Sequence, residues 1–240
     1  MGPFAVISIP PPDNFFTFHH INAILHDDGH MVDLDMCIYF TVDNIVTDYV
    51  LGNLGDMYSP DTRDGLTENC DAIRRVSIDL NTKMTTFQDF AITDANGISY
   101  RLELVSLNPK HLGKPYCYIY APTSHIYGSS RYEDMGILKV DLCTAERLNS
   151  KFLPTGTPTV VSSWSQEGVY VGEPLFVPNP QGSLEDDGVV LVMGRNGTTQ
   201  ESVLLILNAK DLTLKSKAHA PFPLMFEFHG RFISSEYFLT

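Results

Sequence analysis

The sequence predicts an all-β fold, and three observations carry that prediction. Apolar and polar residues alternate over short runs. In 31–40, Val32, Leu34, Met36 and Ile38 share one face, and Asp33, Asp35, Cys37 and Tyr39 share the other. Turn signals such as Asp28-Gly29, Asn96-Gly97 and Asn196-Gly197 recur at roughly 8–15-residue spacing. The best helical candidate is 44–54, and it has only a loose helical spacing through Ile45, Tyr49 and Gly52. Roughly a dozen short strands fit a sandwich, a barrel or a propeller, and the pattern alone leaves these three open.

In chain order, a short apolar strand at 4–9 stops at Pro10-Pro11-Pro12, a rigid extended connector. The aromatic, β-branched run 15–23 reads as a buried strand. Across the turn at Asp27-Asp28-Gly29, 31–40 follows as its hairpin partner. The polar stretch 56–71 reads as a surface loop. Strands resume at 74–80 and at 98–104. In the latter, Ile98, Tyr100, Leu102 and Leu104 face one way, and Arg101 and Glu103 the other. A tyrosine-rich strand covers 115–121, and Tyr116, Tyr118 and Tyr120 read as packing, as does Trp164. Beyond it lie a strand at 136–142, loop or edge material at 155–164 and a strand fenced by prolines at 172–178. The acidic run Glu185-Asp186-Asp187 reads as a solvated turn. Segments 189–193 and 202–208 form a hairpin around Asn196-Gly197, so the sequon Asn196-Gly197-Thr198 reads as a turn rather than a glycan site.

The formal net charge of −13 argues against a nucleic-acid partner and against electrostatic docking on an anionic membrane. The four cysteines (Cys37, Cys70, Cys117, Cys143) include no C-x-x-C pair, which fits buried thiols in a reducing compartment. Residues 1–12 lack the basic and apolar regions of a signal peptide, so the expected location is cytoplasmic.

Two segments stand out chemically. Phe18-His19-His20-Ile21 places adjacent histidines in an aromatic run, and alternation along a strand allows at most one of them into a given site. Near the end of the chain, Phe228-His229-Gly230 sets another histidine among aromatics, beside a glycine that lets backbone come close. A strand histidine is by default a hydrogen-bonded core residue. Glu103 is by default a solvated strand carboxylate, and Glu173, before Pro174, an extended loop residue.

Four ordered blocks alter those defaults. They are Phe18-His19-His20-Ile21-Asn22-Ala23; Leu102-Glu103-Leu104 through Asn108 to Gly113-Lys114-Pro115-Tyr116; Gly172-Glu173-Pro174-Leu175-Phe176-Val177-Pro178 with 185–191; and 204–212 leading to Phe228-His229-Gly230. Together they resemble the C-terminal half of the carotenoid cleavage oxygenases, in the animal branch that includes the β-carotene oxygenases and the retinal pigment epithelium isomerase.

The resemblance implies that residues 1–240 are the C-terminal portion of a seven-bladed β-propeller whose axis holds one ferrous iron on four histidines. His19 and His229 match two of those ligands, His20 falls in a non-ligand slot, and the other two ligands belong to sequence upstream. Glu103 and Glu173 match carboxylates that hold the second ring nitrogen of His19 and His229. The implied reaction is oxidative cleavage of a polyene double bond in a carotenoid or apocarotenoid by dioxygen. One related member acts instead as an isomerohydrolase of a retinyl ester, and the resemblance leaves room for peripheral membrane contact by the longer protein. Val105, where proline is usual, and Cys37, where a large aromatic often lines the substrate tunnel, depart from the pattern. With two ligands of four, the 240 residues alone are expected to be inactive. The alternative expectation is a non-catalytic propeller-derived module that binds an apolar ligand or a protein partner.

Overall fold

The computed structural model describes residues 13–40, 72–123, 135–143, 159–224 and 229–233, with Ile7 and Ile9. The expected proline connector, the helical candidate 44–54, the loop 56–71 and, apart from Ile7 and Ile9, the strand 4–9 lie outside the described residues. The described residues form strands and one short 3₁₀ turn, Pro109–His111.

The first sheet is an antiparallel meander of β1 (His20–Leu25), β2 (Met31–Ile38), β3 (Ala72–Asp79) and β4 (Thr85–Phe90). A second contains β5 (Ile92–Thr93), β6 (Ser99–Tyr100), β7 (Tyr118–Thr123), β8 (Gly136–Asp141) and β9 (Thr159–Ser165), in the order β6-β5-β9-β8-β7. The third is again a meander: β10 (Val169–Pro178), β11 (Gly188–Asn196), β12 (Ser202–Asn208) and β13 (Leu214–His219).

Strands β7 and β8 are buried on both faces, and their sequence explains why. On β7 and β8 most residues are apolar and can face a neighbouring sheet, and the buried Lys139 does so through an ion pair. Ile119, Leu138 and Val140 pack with Ile21, Ile24 and Ile73 of the first sheet. Tyr120 and Ile137 pack with Val171, Val190 and Leu205 of the third. The three sheets therefore stack as consecutive blades.

Polar groups bridge both seams. Between the first two sheets, the Arg75 guanidinium forks onto Asp35 at 2.8 and 2.6 Å, and the Tyr116 hydroxyl donates to Asp35 Oδ2 at 2.7 Å. Burial, reinforced by the Asp35 charge, pushes the Tyr116 phenol well above its ordinary value. Between the second and third, Glu185 Oε1 accepts the N–H groups of Cys117 (2.8 Å) and Tyr118 (2.6 Å). Lys139 donates to Asp186 Oδ2 at 2.7 Å.

Several expectations change. The run Glu185-Asp186-Asp187 is no solvated turn: it clasps β7 and β8, because the start of β7 has N–H groups that no strand partner takes up. The span 98–104 is a strand only at Ser99–Tyr100, and it then leaves the ladder. Of the stretch 155–164, expected as loop or edge material, 159–164 fall in β9, between β5 and β8. The first strand begins at His20 rather than Phe15, although Phe16 and Tyr39 form an isolated antiparallel bridge. Cys117 and Cys143 were expected as thiols. They are joined in a disulfide spanning 26 residues, with Cα atoms 5.2 Å apart across the β7–β8 hairpin. Strands β4 and β13 gave no alternating apolar signal: Thr85–Phe90 has only Phe87 and Phe90 among polar residues, and every side chain of β13 is exposed. A lysine-bearing outer strand of this kind protects a sheet edge.

Candidate metal centre

The inner edges of the three sheets converge. His19 immediately precedes β1, and its carbonyl accepts the Cys37 N–H at 3.0 Å. Glu103 lies between β6 and β7, on a segment tied to the inner edge of β7 by reciprocal 2.8 Å bonds between Ser106 and Tyr120. Glu173 lies on β10 where the pairing with β11 slips between Val171 and Pro174. Such a bulge re-aims a side chain.

His19 Nδ1 is 2.5 Å from Glu103 Oε2. The same oxygen accepts the Leu104 N–H at 3.0 Å, a geometry produced by the left-handed φ of +52° at Leu104. The other oxygen of Glu103 accepts the Tyr39 hydroxyl at 2.7 Å. His229 Nδ1 is 3.3 Å from Glu173 Oε2, which also accepts the Gly230 N–H at 3.0 Å. A Cβ at Gly230 would meet Leu175 Cδ1 at 3.1 Å, so glycine keeps this approach open.

The two imidazoles then face each other. Their Nε2 atoms are 3.3 Å apart, with ring centroids at 5.0 Å and planes at 63°. An ionised carboxylate only accepts, so in neutral rings each Nδ1 carries the hydrogen and each Nε2 presents a lone pair. Two acceptors at that distance have no hydrogen to share, and a cation between them resolves the conflict. Metal–imidazole bonds of about 2.1 Å, opened by 90–110°, put two nitrogens roughly 3.0–3.4 Å apart. The donor set therefore fits a transition-metal ion.

Each of the four candidate site residues belongs to this cluster, and neighbouring His20 is exposed outside it. Two other described histidines are engaged elsewhere. His26 meets Asp33 at 2.9 Å, and His111 meets the Pro115 carbonyl at 2.8 Å. Among the described residues, the one three-donor cluster is Cys117, Asp141 and Cys143, whose sulfurs are committed to the disulfide. Sequence reasoning missed Tyr39. The signal was its alternation with Cys37, which puts it on the Cys37 face one residue past β2 and two beyond the point where Cys37 binds the His19 backbone. Beside His229 opens a cleft of about 220 Å³, lined among others by Leu175, Leu191, Met193, Leu204 and Phe232.

Comparison with known proteins places these features in a family. Residues 7–234 match the family described as RPE65, retinal pigment epithelial membrane protein. The apocarotenoid-15,15'-oxygenase of Synechocystis is 29% identical over 215 residues, which are 87% of this chain and 37% of that protein. The β,β-carotene 15,15'-dioxygenase of Rattus norvegicus is 29% identical over 249 residues, 93% of this chain and 40% of the relative. The torulene dioxygenase of Fusarium fujikuroi reaches 34% identity over 128 residues, 53% and 19% of the two chains. The chain thus spans about two fifths of the length of the first two relatives.

Among solved structures, cobalt-substituted Synechocystis ACO superposes with a TM-score of 0.67 at 24% identity, covering 98% of this chain and 42% of that one. An ACO/RPE65 chimera gives 0.62 at 25% identity, covering 93% and 41%. The stacked sheets are accordingly blades of the seven-bladed propeller of those enzymes. With three inner edges meeting at paired histidines and the match running from residue 7 to residue 234, the chain belongs to the RPE65 family, whose members among its relatives are carotenoid oxygenases.

Proposed function

We propose that this chain supplies two histidines, His19 and His229, to a ferrous iron centre that cleaves a polyene double bond of a carotenoid or apocarotenoid with dioxygen. One observation carries the reading: two Nε2 lone pairs face each other at 3.3 Å, each ring being held from behind by a carboxylate. Iron, when bound, supplies the redox chemistry that joins dioxygen to the alkene. The protein's part is positional. Glu103 and Glu173 fix the tautomer and aim of each ring, and the open cleft beside His229, with Leu175, Leu191, Met193 and Leu204 on its wall and Arg231 beside them, offers apolar surface to a hydrocarbon chain. The names of the relatives support the substrate class.

Two histidines make an incomplete ligand set, so activity belongs to a form that contributes further ligands, and these 240 residues alone are inactive. The test uses the protein in the longest form in which it is expressed. Wild type should hold about one iron per chain and convert an apocarotenoid to two carbonyl products, while His19→Ala and His229→Ala should each lose both iron and turnover. Iron content indifferent to both substitutions would favour the non-catalytic binding module and overturn the reading.

A further inference from the structure

We propose that Tyr39 is a positioning residue for this centre, acting on His19 through Glu103; the inference rests on the reading above. Glu103 has no strand ladder to hold it, since 101–105 leaves the sheet and turns at Leu104. Its carboxylate would rotate about the last side-chain bond unless both oxygens were claimed. Oε2 is claimed by His19 and the Leu104 N–H, and Oε1 by the Tyr39 hydroxyl at 2.7 Å. The phenol itself cannot drift. Its residue is 6% exposed, its backbone pairs with Phe16 in both directions at 3.0 and 2.8 Å, and the Phe18 ring meets it edge-on at 5.6 Å.

Phe18 and His19 are consecutive, so the aromatic that packs Tyr39 and the imidazole that Tyr39 helps orient move as one unit. Removing the hydroxyl leaves the packing intact and frees Glu103 to turn, which loosens the Nδ1 contact that aims His19 Nε2. At Glu173 the described partners are His229 and the Gly230 N–H, both on one oxygen. The hydroxyl brace belongs to the His19 side.

The experiment compares wild type with Tyr39→Phe in the longest expressed form, with two readouts. Fe(II) affinity is measured by chelator competition, and the His19 ring ¹⁵N–¹H resonance is followed in metal-free, ¹⁵N-histidine-labelled protein. The expected result is an Fe(II) affinity lowered about tenfold, a shifted or exchange-broadened His19 Nδ1–H signal and a nearly unchanged Tm. An unchanged His19 signal, or a fall in Tm with unaltered Fe(II) affinity, would overturn the proposal and leave Tyr39 a packing residue. If wild type binds no Fe(II) while the metal-free signal still responds to Tyr39→Phe, the iron reading fails and the positioning contact stands.

Discussion

His19 and His229 face each other through like atoms, yet the supports behind them differ. The His19 side chain is 30% exposed and its carboxylate 15%, and three donors converge on Glu103. The His229 side chain is 57% exposed, and its contact with Glu173 is 0.8 Å longer than its counterpart. The first pair sits at the seam of two sheets, crossed by the Arg75–Asp35–Tyr116 network. The second joins one strand to a segment that follows the last blade. The same imidazole–carboxylate chemistry is thus built once as a rigid post and once as an adjustable arm. An adjustable arm is useful where a cleft for a long apolar molecule opens beside it.

The largest effect should come from breaking the post at its base. Asp35→Ala removes the forked partner of the buried Arg75 guanidinium, which keeps Asp33 at 3.6 Å, and the acceptor of Tyr116, and should cost about 3 kcal/mol in denaturant unfolding. An effect below about 1 kcal/mol would mean that the seam does not hold the His19 side rigid. Next in size is the contrast between the two carboxylates. Glu103→Ala leaves the Tyr39 hydroxyl and the Leu104 N–H without their acceptor and should cost about 2 kcal/mol, whereas Glu173→Ala, with more exposed partners, should cost about 1 kcal/mol or less. Equal losses would erase the distinction between post and arm.

The smallest effect concerns the other seam, and it depends on pH. The Lys210 ammonium, with the Leu184 and Ser183 N–H groups, holds the Asp187 carboxyl below its ordinary value. A depressed folded-state value contributes stability that is present above about pH 4 and lost as pH falls through the folded value. Asp187→Asn should therefore lower Tm slightly at neutral pH and by less in acid. A constant difference from pH 7 to pH 3 would assign the effect to the backbone hydrogen bonds alone.

The sequence made the chemistry of the pairs legible because motif order does not depend on knowing the contacts. His19, His229, Glu103 and Glu173 were each singled out, and the structure gathers them in one cluster with His20 exposed outside it. Contacts across distant segments were another matter. Tyr39 and Glu103 are 64 positions apart, and Glu185 and Cys117 are 68 apart. Local periodicity sees neither, so Tyr39 read as one face of a hairpin and Glu185 as a wet turn. The disulfide was hidden for a related reason: composition alone suggested thiols, while the β7–β8 pairing is what brings Cys117 to Cys143. Strand β13 escaped because an outer edge needs no apolar face.

The meeting of His19 with His229 spans 210 positions of sequence. Bringing the ends of a flexible loop that long together costs on the order of 5 kcal/mol in chain entropy. On the proposed reading, an ion bound by both rings works as a clasp: it closes the chain into a ring and keeps it closed. Stripping the ion would then do more than stop chemistry. It would let the segment that bears His229 come away first, so hydrogen exchange should rise there before it rises in the blades.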